Sequence, residues 1–274
     1  MIQTAAIGSI DADTDWSAAL INVDVVVHLA ARVHVMSDHV ADPLAEFRKV
    51  NVEGTLNLAM QAAKVGVKRF VFISSIGVNG NVTLFYQPFT AEDTPDPHDA
   101  YTISKYEAEL GLRKLAEITG LEVVIIRPPL VYGYGAPGNF NSIIHALKNH
   151  YPLPLGAINN KRSFVYVGNL VSLITRCLDH PKAVNQVFLV SDGHDLSTTA
   201  LLRACALALG VKSRLLSVPQ RLIEFSAALL GKRSIAQRLC GNLQMDIAKA
   251  RTLLSWTPPI SVVDGLKATA LGLI

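Results

Sequence analysis

A tyrosine and a lysine four residues apart, Tyr101 and Lys105, are of types and at a spacing that could do chemistry together. On a helix, side chains four residues apart lie on one face, about one turn from each other. A lysine ammonium close to a phenol stabilises the phenolate and lowers the pKa of the phenol from its ordinary value of ~10. The tyrosine would then act as an acid or base near neutral pH. The same spacing also occurs on solvated helix faces, so the surrounding elements must show whether the pair is catalytic.

Three continuous apolar runs, residues 24–31, 69–75 and 122–127, predict strands buried on both faces. Helices are predicted between them, over residues 43–66 and from Tyr101 to about Thr119, where Gly120 is a C-terminal stop. This alternation of strands and helices predicts an α/β fold with a parallel sheet and right-handed crossovers. The apolar residues 187–190 predict a further strand that rejoins the sheet, and most of the chain beyond it is expected to be helical.

The first two predicted strands end in small or polar residues: Ala30 and Ala31 in one, Ser74 and Ser75 in the other. Open α/β sheets bind their ligands at the carboxyl ends of the strands. The alanines would let another group approach the backbone, while a serine there either forms a turn or donates a hydrogen bond to a substrate. Asn51, inside a predicted helix, is either an exposed residue or a polar contact directed at another group.

Composition excludes several classes of function. The chain has 274 residues, 50% hydrophobic and 17% charged, with a net charge of +3, which is too small to predict nucleic-acid or anionic-membrane partners. No apolar run reaches the ~18 residues of a membrane span, and the first ten residues do not resemble a signal peptide. The three separated cysteines predict neither a disulfide framework nor a metal site, and they fit a reducing cytoplasm.

The region beyond residue 219 has a basic character, from Arg221, Lys232, Arg233 and Arg238. Two interpretations are open: a helix that lies on a membrane surface, or a solvated or anion-facing side. The second is preferred, so no membrane partner is expected.

Several motifs occur in order along nearly the whole chain: 28-HLAA-31, 51-NVxGT-55, 69-RFVFISS-75, 101-YxxxK-105, 127-RPPxVYG-133, 162-RSFVYV-167 and 246-DIxKA-250. In these motifs the chain resembles the extended short-chain dehydrogenase/reductases. Within them it is similar to the NAD-dependent epimerase/dehydratase family of nucleotide-sugar 4-epimerases, dehydratases and 4-ketoreductases. The stretch 152–170 looks most like members of surface-polysaccharide synthesis that act on UDP-N-acetylhexosamines.

The resemblance implies a Rossmann-type parallel sheet with a smaller, mostly helical substrate lobe. Residues 1–129 would form the dinucleotide-binding domain, rejoined by a strand at 187–191, and residues 130–274 mainly the substrate-binding lobe. The family's Gly-rich strand–turn–helix unit, which holds the cofactor pyrophosphate, is missing, since the first glycine is Gly8 and the next is Gly54. We therefore expect an N-terminally truncated fold without the first two strands, with residues 1–10 at the third strand and weak cofactor affinity.

The resemblance also implies residue roles. Tyr101 would be the general base or acid at the sugar C4 oxygen, Lys105 would lower its pKa and hold the nicotinamide ribose, and Ser75 would complete the catalytic set by binding the same sugar oxygen. The residues implied to bind cofactor are Ala30, Ala31, Asn51, Ser74, Tyr101, Lys105, Pro128 and Leu130. The residues implied to bind substrate are Ser75, Asn139 and Arg162.

The implied activity is a 4-epimerase for a UDP-hexose or a UDP-N-acetylhexosamine, with NAD favoured over NADP. Two alternatives remain: a 4-keto-sugar reductase of surface-polysaccharide synthesis, and an inactive fragment or non-catalytic binding protein that lacks the cofactor loop. A steroid-type reductase is less favoured, because Asn139 and Arg162 would have no diphosphate to bind. The resemblance further implies a cytoplasmic enzyme with a UDP-sugar substrate, no metal, no nucleic-acid partner, and a homodimer through the 43–66 and Tyr101 helices.

Overall fold

The computed structural model describes residues 4–33, 42–136 and 139–272, without the side chains of residues 139 and 141. Its main sheet has four parallel strands, β1 (Val25–His28), β2 (Arg69–Ile73), β3 (Glu122–Arg127) and a late strand, Val187–Leu189, in that order across the sheet. Val25 lies opposite Arg69, and Ile125 lies opposite Val187. The predicted α/β fold with a parallel, Rossmann-type sheet is confirmed.

Residues 4–10 form no strand, so the expectation of a strand at the start of the chain is wrong for them, and residues 1–3 lie outside the described residues. The backbone just after this region is hydrogen-bonded by side chains of the helix Thr55–Lys64. Asn57 Nδ2 donates to the carbonyl oxygens of Asp11 and Thr14, and Gln61 Nε2 donates to that of Thr14. Strand β1 is therefore an edge strand within the described part of the sheet.

Two helical layers cover the sheet. The α-helices of the described chain are α1 (Pro43–Arg48), α2 (Thr55–Lys64), α3 (Ala100–Thr119), α4 (Asn139–Lys148), α5 (Val167–Cys177), α6 (Thr198–Ala208), α7 (Gln220–Leu229), α8 (Arg233–Cys240), α9 (Ala248–Leu254) and α10 (Val262–Leu271). Helices α2 and α3 pack on one face around Leu58, Phe70 and Leu112. Helices α5 and α9 pack on the other face around Val124 and Leu173.

Local signals set the ends of α3. The Asp99 carboxylate accepts from the backbone N–H of Thr102, whose hydroxyl in turn accepts from the Asp99 N–H, so the two form a capping box. The helix ends at Gly120, which has a φ of 75° and therefore takes the left-handed conformation that glycine adopts without strain. The helix carrying Tyr101 and Lys105 thus begins and ends where local chemistry predicts.

The region predicted as one helix over 43–66 is three consecutive pieces. Helices α1 and α2 are joined by a π-helical segment, Lys49–Gly54, with Asn51 at its centre. The extra residue per turn of a π-helix is a frequent feature of functional sites. Here it directs the buried Asn51 side chain towards α3.

Beyond residue 129, a two-stranded parallel sheet pairs β4 (Leu130–Tyr132) with β5 (Phe164–Tyr166), and β6 (Val187–Leu189) is the late strand of the main sheet. Helices α4, α6 and α10 enclose a third apolar cluster around Tyr132 and Leu202. Because α5, β6 and α9 return to the main sheet, the division at 129/130 remains a prediction. No helix in the described ranges has the length and apolarity that crossing a membrane requires.

Candidate active site

Tyr101 and Lys105 lie one turn apart near the start of α3, as their spacing predicts. The pKa of Tyr101, however, is raised to about 12, mainly by burial and secondarily by the negative charge of Asp99. Lys105 is not among the causes of this shift, and its role in lowering the pKa of Tyr101 stays a prediction. Burial disfavours the charged phenolate relative to the neutral phenol, so the phenol keeps its proton to higher pH.

Lys105 is fully buried, and burial lowers the pKa of its ammonium to about 7, against a smaller raising effect of Glu109. Its Nζ lies 4.0 Å from the centroid of the Phe72 ring, a cation–π contact. Within the described residues Nζ has neither a hydrogen-bond acceptor nor a salt-bridge partner. Its three N–H donors are thus available to the hydroxyl groups of a ligand.

His28, at the end of β1, is a neutral core histidine. Its Nε2 lies 3.0 Å from Thr55 Oγ1, and its ring stacks on Phe72 with the centroids 6.0 Å apart. Burial lowers the pKa of His28 to about 4, and the positive charge of Lys105 lowers it further. The imidazole therefore adds no second positive charge beside Lys105 near neutral pH.

A buried carboxylate, Glu109, joins three elements beneath the site. It accepts from Arg127 twice, with Nε donating to Oε1 at 2.9 Å and Nη2 donating to Oε2 at 2.5 Å. Ser74 Oγ donates to Oε1 at 2.6 Å, and Arg113 Nη2 donates to Oε2 at 3.2 Å. Sequence reasoning missed Glu109, although its position one helical turn beyond Lys105 was a signal.

This network places Ser74 at the end of β2 with its hydroxyl committed to Glu109. Its role in binding cofactor stays a prediction. Ser75, the next residue, is half-buried, and its Oγ accepts from the Gly77 N–H at 3.1 Å. A Cβ on Gly77 would lie 2.4 Å from Thr102 Cγ2. The glycine thus lets the Ser75 loop pack directly against the first turn of α3, beside Tyr101.

Asn51 connects the end of β1 to α3. Its Oδ1 accepts from the Arg32 N–H at 2.8 Å, and its Nδ2 donates to the Arg32 carbonyl at 3.1 Å and to Ser104 Oγ at 2.9 Å. Ser104 Oγ donates to the carbonyl of Tyr101 at 2.7 Å. Asn51 is therefore a buried polar contact within the protein that connects to the helix turn carrying Tyr101. Its role in binding cofactor stays a prediction.

The remaining predicted cofactor residues lie at strand ends or in the next strand. Ala30 is exposed and Ala31 half-buried just beyond β1. The Pro128 carbonyl accepts from the Ile76 N–H at 2.9 Å, which fastens the end of β3 to the loop after Ser75. Leu130 begins β4 and packs into the third apolar cluster.

Arg162 lies outside this cluster of contacts. Its Nη1 donates to the Gly241 carbonyl at 3.1 Å, and its backbone pairs with that of Leu196. Burial lowers the pKa of Arg162 to about 10, and the nearby positive charge of Arg238 lowers it further. No carboxylate among the described residues pairs with it. Asn139 begins α4, and its side chain lies outside the described residues.

The family model described as "NAD dependent epimerase/dehydratase family" matches residues 5–191, more than half of the chain. The protein belongs to that family. The expectation of an NAD-dependent epimerase/dehydratase family enzyme is thereby confirmed.

Other members are similar over most of their length. The UDP-glucose 4-epimerase of Vibrio cholerae is 51% identical over 265 residues, which are 96% of this chain and 81% of that protein. The Thermotoga maritima UDP-glucose 4-epimerase, solved with UDP-glucose, has a TM-score of 0.73 at 25% identity, covering 91% of this chain and 76% of the other. The Bacillus cereus UDP-glucuronic acid 4-epimerase, solved with NAD, has a TM-score of 0.75 at 21% identity, covering 95% and 77%; it supports the fold.

For the family's nicotinamide dinucleotide, the residues fit best at the nicotinamide ribose. The N–H donors of the buried Lys105 ammonium have no acceptor among the described residues. The small side chains of Ala30 and Ala31 leave the backbone after β1 accessible to a ligand. Backbone amides of a Gly-x-x-Gly-x-x-Gly turn, which would hold the pyrophosphate, do not occur in the 274-residue sequence. Among the described residues no group of acidic, histidine and cysteine side chains is placed to hold a metal ion.

Proposed function

We propose that this family member is a UDP-sugar 4-epimerase, with UDP-hexose or UDP-N-acetylhexosamine as substrate. The observation that carries the proposal is the 51% identity to the Vibrio cholerae UDP-glucose 4-epimerase across 96% of the chain. The site supports it, because Tyr101 and Lys105 share one helix turn beside the Ser75 loop at the carboxyl ends of the strands.

In this proposal Tyr101 takes the proton of the sugar C4 hydroxyl and later returns it, while Ser75 donates a hydrogen bond to the same oxygen. Lys105 holds ribose hydroxyls with its uncommitted N–H donors. Bound NAD would supply the hydride acceptor and a positive charge. A phenol with a pKa of about 12 keeps its proton at pH 7. The proposal therefore requires ligand binding to lower the pKa of Tyr101.

Arg162 is our proposed contact for the nucleotide diphosphate. It is a half-buried cation whose neighbour is a second cation, Arg238, rather than an acid. Such a pair is electrostatically unfavourable until an anion binds, and the planar guanidinium can donate two hydrogen bonds to one phosphate. Its fixed backbone pairing to Leu196 and its bond to Gly241 position the guanidinium before a ligand arrives.

The test is conversion of UDP-glucose to UDP-galactose by the purified chain with NAD, followed by chromatography, with UDP-N-acetylglucosamine in parallel. We expect Tyr101→Phe to lower kcat by about 10²–10⁴-fold, the usual contribution of a general acid–base. Tyr106→Phe, on the same helix, is the matched control and should retain activity.

Other outcomes assign a different function. Stoichiometric consumption of NADH or NADPH with a 4-keto sugar, without interconversion of the epimers, would make the protein a reductase. No turnover, together with no NADH binding in the micromolar range by nicotinamide fluorescence, would support the non-catalytic alternative.

A further inference from the structure

Helix α7 presents an apolar stripe to solvent. Leu222, Phe225 and Leu229 are 56%, 62% and 73% exposed and follow the spacing i, i+3, i+7, so they lie on one face. No residue of α7 is buried. The half-buried Ile223 and Ala227 lie on the opposite side of the helix, so the stripe does not serve the core.

Helix α8 extends the same surface. A turn at Gly231, with a φ of 68°, reverses the chain, and the Lys232 N–H donates to the Ala227 carbonyl at 2.7 Å. Leu230 and Ile235, in and just after this turn, are also exposed. We call the exposed apolar residues of this hairpin the α7–α8 patch: Leu222, Phe225, Leu229, Leu230 and Ile235.

The chain segment that carries the patch has a strongly one-sided charge. Residues 212–238 contain six cations and one acid, a net charge of +5, whereas the whole chain carries +3, so the remainder carries −2. The acid, Glu224, accepts a hydrogen bond from Gln220 at 2.8 Å. The cations are all exposed: Lys212, Arg214, Arg221, Lys232, Arg233 and Arg238.

We propose that the α7–α8 patch is a docking surface for an anionic phospholipid bilayer. An apolar helix face rimmed by lysine and arginine lies in the interface plane, with Leu and Phe among the acyl chains and the cations at the lipid phosphates. The charge asymmetry identifies the occupant. A second copy on the same patch would place like charges opposite each other, because a two-fold interface pairs a surface with itself.

This inference stands apart from the proposed reaction, and it revises the expectation of no membrane partner. That expectation rested on assigning the basic residues beyond 219 to a solvated or anion-facing side, and on the mild net charge of the whole chain, which combines a basic segment with a more acidic remainder. It also rested on the absence of a spanning segment, whereas surface docking needs only an amphipathic helix.

Co-sedimentation of the full chain with vesicles tests the proposal. We expect binding to phosphatidylcholine vesicles containing about one-third phosphatidylglycerol, much weaker binding to pure phosphatidylcholine, and weakening by added salt. The double variant Phe225→Glu/Leu229→Glu should lose at least about tenfold in binding. The triple variant Arg221→Gln/Lys232→Gln/Arg233→Gln should lose roughly fivefold per cation removed.

Leu207→Glu is the matched control, since Leu207 is an 82% exposed leucine on α6, outside the patch. It should bind vesicles as the parent chain does, and circular dichroism should show all variants folded. Absent binding, equal binding to neutral and anionic vesicles, or unchanged binding of the double variant would each overturn the proposal. So would a dimer in sedimentation velocity that the double variant dissociates, because the occupant would then be a second copy.

Discussion

Replacing Glu109 by glutamine, a side chain of nearly the same size, should lower the free energy of unfolding far more than the same change at a surface glutamate would. Glu109 is fully buried, and it receives both hydrogen bonds of the Arg127 fork, at 2.9 and 2.5 Å. Arg127 is itself 1% exposed. Removing the carboxylate charge leaves the Arg127 guanidinium buried without a counter-ion, so the cost is that of an uncompensated buried charge.

The magnitude follows from comparable buried pairs. Removing one partner of such a pair costs about 3–5 kcal/mol of unfolding free energy. For a chain of this size that corresponds to a fall in Tm of about 6–10 °C. Ser74 and Arg113 also lose a charged acceptor, which adds to the cost. The pKa of Lys105 should fall below about 7, because Glu109 is the group that raises it.

The assay is thermal and urea unfolding followed by circular dichroism. Glu107→Gln is the matched control, because Glu107 is on the same helix but pairs with Arg48 at the surface, with side chains 30% and 45% exposed. Exposed pairs contribute about 0–1 kcal/mol, so the control should change little.

Equal effects of Glu109→Gln and Glu107→Gln would refute the argument that burial makes the Glu109–Arg127 pair critical. The double variant Glu109→Gln/Arg127→Met gives a second check. It removes the unpaired charge, so it should recover a large part of the stability that Glu109→Gln loses. If it were no more stable than Glu109→Gln, the cost would come from packing rather than charge.

Two further predictions concern pH and substrate binding. The pKa of His28 is lowered from 6.5 to about 4 in the folded state, so the unfolded chain binds its proton first, and the protein should lose about 3 kcal/mol of stability between pH 6.5 and pH 4. Urea unfolding at both pH values should show that His28→Gln loses less unfolding free energy than the parent chain between pH 6.5 and pH 4. His194→Gln, which changes an exposed histidine, should lose as much as the parent. An identical loss in all three proteins would exclude His28 as the cause. Arg162→Gln should raise KM for a UDP-sugar roughly 10–100-fold with a smaller change in kcat, as expected for a lost charge-assisted hydrogen bond. Steady-state kinetics measure the split, and an unchanged KM would remove Arg162 from the substrate site.

The fold could be predicted where local information suffices. Strands β2 and β3 are continuous apolar runs, and the ends of α3 follow from the Asp99 cap and Gly120, since these signals act within one helical turn. The region 4–10 could not be predicted in this way. A strand needs a neighbouring strand to satisfy its backbone, and here the side chains of α2 bond the adjoining backbone instead.

The sequence by itself determined that Tyr101 and Lys105 share a helix face, because a spacing of four matches the helical period. Only the tertiary structure decided the pKa values of the two side chains. Burial raises the pKa of Tyr101 to about 12 and lowers that of Lys105 to about 7, and burial depends on packing between distant segments. The burial of the Glu109–Arg127 pair and the exposure of the apolar face of α7 depend on packing for the same reason, since a charged pair in the core and an apolar helix face in solvent are both contrary to what their residue types predict.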